Sequence, residues 1–105
     1  MAERITAAEF PEKVLGTDRI TIVDFYSDSC VPCKMLSPVL SQLETELGEE
    51  VGIYKVNVGY EQELVEKYDV QASPTLIFFR SGDEVSRIRG AVKKPQILEE
   101  LDKLR

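Results

Sequence analysis

The chain has 105 residues, 43% hydrophobic and 30% charged, which fits a single globular domain over residues 1–105 and excludes a multi-domain or disordered reading. Its 19 acidic against 13 basic side chains give a net charge of -6, which repels nucleic acid and anionic lipid, so neither is expected as a partner. The sequence contains no histidine, which removes Ser-His-Asp and Cys-His catalysis, imidazole metal ligation and histidine pH switching.

The N-terminal residues Met1–Thr6 carry no apolar signal core, and no stretch approaches the roughly 20 apolar residues that span a bilayer, so a cytoplasmic monomer is expected. Ala2–Thr6 reads as an edge strand. Thr6 and Glu9 have capping-box spacing, but a helix started there would place Pro11 where its missing N–H begins to cost a bond, so a start around Ala8 is expected. The β-branched and aromatic run Ile20–Tyr26 shows little alternation, the pattern of a central strand covered on both faces. Leu36, Val39, Leu40, Leu43 and Leu47 then fall at helical spacing, with Gly48 as C-cap.

Val51–Val58 reads as a second strand, so strand, helix and strand form a right-handed βαβ unit with its two strands parallel. Tyr60–Tyr68 is a short helix, and Thr75–Phe79 the next strand. The turn residues Ser81, Gly82 and Asp83 return Glu84–Arg89 as an antiparallel hairpin partner. Pro95 opens a last helix whose buried stripe is Ile97, Leu98, Leu101 and Leu104. Pro38 falls inside the long helix and leaves the Lys34 carbonyl without its usual donor, which predicts a kink. The acidic run Glu44–Glu50 is read as a solvated face.

Chemistry concentrates on the two cysteines. Cys30 and Cys33 lie between the central strand and the long helix, so Cys30 occupies a partly exposed helix N-terminus with Pro32 in the first turn. Unpaired backbone N–H groups and the helix dipole stabilise a thiolate there and lower its pKa towards neutrality. Two intervening residues bring the sulfurs close enough to bridge, so the second cysteine can expel whatever the first has captured. A zinc site would want four ligands, and the sequence has neither a second cysteine pair nor a histidine. No metal or other cofactor is therefore expected. Asp24, a carboxylate inside an apolar strand, carries a desolvation cost that raises its pKa; its bland alternative is a buried group paired with Lys55.

Over nearly its whole length the sequence resembles the thioredoxin family. The residues that carry the likeness are Val23–Phe25, Cys30–Met35, Pro38, Lys55–Asn57, Tyr68, Ser73–Thr75, Gly82 and Gly90. The resemblance implies an α/β thioredoxin fold, a mixed sheet of about five strands flanked by about four helices. It also implies a protein-disulfide reductase that acts through a Cys30–Cys33 dithiol/disulfide, with Asp24 behind the buried cysteine as proton acceptor and Lys55 nearby. Ser73-Pro74 would be the cis-proline loop on which an extended substrate pairs, and Gly90 and Ala91 would complete an apolar groove beside it. The partners so implied are disulfide-containing proteins and a thioredoxin reductase or equivalent electron donor.

Three positions depart from the family's common Trp-Cys-Gly-Pro-Cys pattern and its surroundings: Ser29 and Val31 flank Cys30, and Tyr26 stands for another common tryptophan. With Pro32, Ser29 and Val31 form the recognition surface, so these departures bear on potential and partner choice. Two other readings remain: a reductant dedicated to one enzyme system, suggested by Ser29 and Val31, and a binding subunit of the same fold whose cysteines are incidental.

Overall fold

A computed structural model describes residues 2–105. Five strands, β1 (Glu3–Arg4), β2 (Ile20–Tyr26), β3 (Val51–Asn57), β4 (Thr75–Arg80) and β5 (Asp83–Arg89), form one mixed sheet in the order β1-β3-β2-β4-β5. The helices are α1 (Val31–Leu47), α2 (Gln62–Lys67) and α3 (Lys94–Leu104), preceded by a short π-helical segment at Pro11–Leu15. The mixed five-stranded sheet flanked by helices on both faces is the expected architecture; a 3-10 turn at Gly48–Glu50 extends the end of α1.

β2 is central, as its unalternating apolar run predicts. It pairs in parallel with β3 from Ile20 opposite Val51 to Tyr26 opposite Asn57, and antiparallel with β4 from Thr21 opposite Phe79 to Phe25 opposite Thr75. Both faces are covered. On one face Ile22, Ile53, Leu76 and Phe78 pack against Leu36, Leu40 and Leu43 of α1 and Ile97 and Leu101 of α3. On the other, Val23, Phe25, Val56, Ile77 and Phe79 pack against Phe10, Val14 and Leu64. Phe25, Phe78 and Phe79 are fully buried, each such side chain contributing about 1.5–3 kcal/mol by leaving water. Among the described residues, no helix is long and apolar enough to cross a membrane.

The hairpin is closed by Ser81 and Gly82, both at positive φ (51° and 87°), between the paired residues Arg80 and Asp83. Two such residues match the right-handed twist of the flanking strands, which explains glycine at the second position. α1 runs unbroken through Pro38. Of the acidic run at its end, Glu46 pairs with Lys94 and Glu50 with Arg105, surface pairs of small energetic value.

The N-terminal expectation needs correction. The Thr6 and Glu9 capping box does form: the Thr6 N–H donates to Glu9 Oε1 at 3.0 Å and the Glu9 N–H donates to Thr6 Oγ1 at 3.3 Å. Regular helix begins only at Pro11, three residues beyond the expected start. The cap satisfies the upstream donors, and Pro11 then stands at a first helical position where its missing N–H costs nothing. The edge strand is shorter than Ala2–Thr6, although the Ile5 N–H extends its ladder to the Lys55 carbonyl at 2.9 Å.

Candidate active site

Tyr26 ends β2 and Val31 begins α1, so four residues carry the chain from the sheet centre into a helix N-terminus. Cys30 is the N-cap, extended at φ -95° and ψ 109°, and its Sγ accepts the Cys33 backbone N–H at 3.1 Å. Serine and aspartate commonly hold this position because their oxygens accept a free helix N–H, and here sulfur does so. Cys30 and Cys33 are disulfide-bonded, with their Cα atoms 5.2 Å apart. The structure is thus that of the oxidised protein.

The expected partial exposure of Cys30 is smaller in fact: Cys30 is 9% exposed and Cys33 6%. The cover comes from the loop before β4. The Ser73 carbonyl oxygen lies 3.5 Å from Cys30 Sγ, a contact in the disulfide and an acceptor for the S–H of a reduced thiol. Ser73-Pro74 is a cis peptide. The Gly90 N–H donates to the Pro74 carbonyl at 2.8 Å from a backbone at φ 83°, a conformation that favours glycine, so the loop after β5 is tied to the loop before β4. Ala91 follows on the surface.

Two concavities flank the pair. On the Cys33 side, a cavity of about 330 Å³ is walled by Tyr26, Ser27, Asp28, Lys34, Ser37 and Lys55. On the other, Pro32, Met35 and Val39 of α1 face Ala91, Val92 and Lys93 across an apolar groove of about 240 Å³. Of Gly90 and Ala91, expected to complete an apolar groove, Ala91 lines this one; Pro32 was expected only on the recognition surface, Val39 only in the apolar stripe of the helix, and Met35 was not singled out as a contact. The signal was available: Pro32 and Met35 stand at i and i+3 and Val39 at i+7, a row along the edge of the buried stripe that Val39 shares.

Ser27 and Asp28 were also missed. Ser73 Oγ donates to Ser27 Oγ at 3.3 Å, and Asn57 Nδ2 donates to Asp28 Oδ1 at 3.1 Å, so the segment before Cys30 is fastened to the loop before β4 and to the end of β3. Ser29 and Val31 are exposed, Val31 at 65%.

Asp24 is fully buried. Its register partner Leu76 belongs to the apolar cluster under α1, which places the carboxylate on the sheet face that α1 covers. Among the described residues neither oxygen has a hydrogen-bond partner. Burial pushes the Asp24 carboxyl up to about 7, and the nearby Lys55 charge only partly opposes this. The alternative of a buried Asp24–Lys55 pair is not what forms. Lys55 lies opposite Asp24 in the β2–β3 register, but its Nζ sits 4.4 Å from the centre of the Tyr26 ring.

The family model for thioredoxin matches residues 1–103. The chain belongs to the thioredoxin family. It is 38% identical over 98 residues to a thioredoxin of Mycobacterium tuberculosis, covering 93% of this chain and 84% of the relative. A thioredoxin of Rickettsia bellii is 31% identical over 99 residues, 94% of each chain, and thioredoxin 1 of Synechococcus elongatus 32% over 103 residues, 98% of this chain and 96% of the relative. Membership and the bridged Cys30–Cys33 pair together make the chain a thiol-disulfide oxidoreductase, acting on protein disulfides as thioredoxins do. They weigh against a binding subunit with incidental cysteines.

The buried carboxyl has a thermodynamic signature. With a folded-state pKa near 7 against an ordinary 3.8, the native state holds a proton that the unfolded state has lost between those two values, so stability falls as pH rises through that window. Asp24→Asn removes this term. The variant is expected to match the parent near pH 4 and to exceed it by on the order of 2–4 kcal/mol at pH 8, as read by urea unfolding of both proteins in the oxidised state. A constant difference across that range would contradict the raised pKa.

Proposed function

We propose that the chain reduces protein disulfides with Cys30 as nucleophile, Cys33 as resolving thiol and Asp24 as proton acceptor. The observation that carries this assignment is the Cys33 N–H donated to Cys30 Sγ at the start of α1. The donor that holds the disulfide sulfur is equally placed to hold a thiolate, and charge-assisted bonds at a helix N-terminus lower a cysteine pKa. Cys33 carries no such cap and is the more buried of the two, which suits the later step.

In the dithiol form the Cys30 thiolate attacks one sulfur of the substrate disulfide. A mixed disulfide forms and the first substrate thiolate leaves. Cys33 then loses its proton to Asp24 and attacks Cys30 Sγ, closing the Cys30–Cys33 bond and expelling the second substrate thiolate. Two electrons have passed to the substrate, and a donor such as a thioredoxin reductase returns two. No bound cofactor is needed, because the electrons reside in the sulfurs. The proximity of Cys33 makes resolution intramolecular, so it outruns an external thiol.

The Ser73-Pro74 segment, whose Ser73 carbonyl touches Cys30 Sγ, is read as the edge on which an extended substrate strand pairs. Ser29, Val31, Pro32, Gly90 and Ala91 complete the contact surface, and Lys55 tempers the charge of Asp24. The protein is read as a cytoplasmic monomer. Exposed Ser29 and Val31 favour a restricted choice of partners, since serine offers little of the area that a tryptophan would bury and valine adds bulk where glycine would admit close approach.

Each assignment has its measurement. Limited alkylation of the reduced protein near neutral pH, followed by peptide mapping, should label Cys30 first, and Cys33→Ser should accumulate mixed disulfides with a protein substrate reduced by the dithiothreitol-driven parent; preferential labelling of Cys33 would reverse the roles. In single-turnover experiments from pH 6 to 8, Asp24→Asn should slow release of the second substrate thiol by about tenfold or more, and unchanged kinetics would leave Asp24 a structural residue. The double variant Ser29→Trp, Val31→Gly should gain chiefly when an NADPH-dependent thioredoxin reductase is the donor. Equal gains with dithiothreitol would show that these positions do not act through partner recognition.

A further inference from the structure

The molecule is acidic, yet the walls of its site are not. Lining the cavity and the groove on either side of the cysteines are four lysines, Lys34, Lys55, Lys93 and Lys94, against one carboxylate, Asp28. With a net charge of -6, the rest of the chain is more acidic than the total conveys. Two of the four are already engaged, Lys94 by Glu46 and Lys55 by the Tyr26 ring. Lys34 and Lys93 are exposed and form no ion pair among the described residues. They stand on opposite flanks of the pair, one at the Cys33-side cavity and one at the end of the apolar groove. Val31, one turn before Lys34 on α1, and Met35, in the groove wall with Lys93, are 65% and 70% exposed.

We propose that this surface docks an extended polypeptide segment in which acidic side chains flank the disulfide, so that the protein selects substrates by the charge around the bond it reduces. The inference rests on the reductase reading above and specifies its substrate class. The long-range repulsion between two acidic proteins does not defeat it. The Debye length at physiological salt is about 8 Å, well below the molecule's extents of 30 × 29 × 21 Å, so a segment reaching this end responds to the lysine rim and is screened from the distant carboxylates. A strand laid along Ser73-Pro74 crosses Cys30 between the two flanks, which brings residues on either side of its own cysteine towards Lys34 and Lys93. The exposed apolar residues Val31 and Met35 supply contact area, and the charges supply encounter rate and selectivity.

The probes are three disulfide-linked peptide dimers, identical except that the cysteine is flanked by glutamates, glutamines or lysines, reduced by the dithiothreitol-maintained protein with the uncatalysed rate subtracted. The parent is expected to favour the acidic over the basic dimer by about five- to tenfold in kcat/KM at about 50 mM salt, and by less than about twofold at about 0.5 M. Because the peptides differ in intrinsic reactivity, the deciding quantity is the change in that ratio in Lys34→Glu, Lys93→Glu, which should fall at least fivefold at low salt and so abolish or invert the preference. Both sites are exposed and Lys93 caps α3, where a carboxylate is favourable, so the variant is expected to fold. A ratio unchanged by the charge reversal, or a parent that favours the basic dimer, overturns the inference while turnover of the glutamine dimer upholds the reductase reading. Failure of parent and variant alike to reduce the glutamine dimer overturns both.

Discussion

Everything at the site follows from β2 being bonded on both edges and covered on both faces. A parallel partner requires a crossover, and right-handed crossover by α1 returns the chain to β3 only if the helix starts over the C-terminal end of β2. That is where Cys30 becomes an N-cap. An antiparallel partner on the other edge, with Phe25 opposite Thr75, brings the start of β4 and hence Ser73-Pro74 to the same end. The hairpin then places Arg89 opposite Thr75, so Gly90 and Ala91 arrive there too. Segments far apart in sequence meet because three pairing registers share one strand end.

This dependence explains what could be read without coordinates. β2 was legible from its unbroken β-branched and aromatic run, α1 and α3 from their helical apolar periodicity, and the bounds of β2 agree to the residue. The cysteine pair and its helix-start position were legible from local chemistry, and the Ser73, Gly90 and Ala91 loops only through family likeness, since no local pattern tells two loops that they will meet. The N-terminal segment was misjudged by weighing Pro11 against the capping box as alternatives; the chain uses both in succession. The Asp24–Lys55 pair, weighed only as the alternative to a proton-accepting Asp24, does not form. Opposite charges at register positions suggest a salt bridge, but nothing in the strand pattern reveals that Tyr26, two residues beyond Asp24, presents its ring to the ammonium.

That last arrangement bears on the chemistry. A lysine bonded directly to Asp24 would stabilise the carboxylate and hold its pKa well below neutrality. Held instead over Tyr26, Lys55 leaves the carboxyl near 7. A proton acceptor serves best when its affinity for protons is close to that of the donor and to the working pH, because it is then both ionised often enough to accept and basic enough to do so. In the proposed role, Asp24 meets this condition through burial without a partner, the same feature that lowers stability. A buried ionisable group with no hydrogen bond is hard to justify as structure, since an amide or an apolar residue would fit there at lower cost. The two apolar clusters, filled by fully buried phenylalanine, leucine and isoleucine side chains, supply the stability against which that cost is set. A carboxyl that destabilises the native state, sits on the α1 side of the central strand and has a lysine close enough to temper its charge has the properties that the proposed proton acceptor requires.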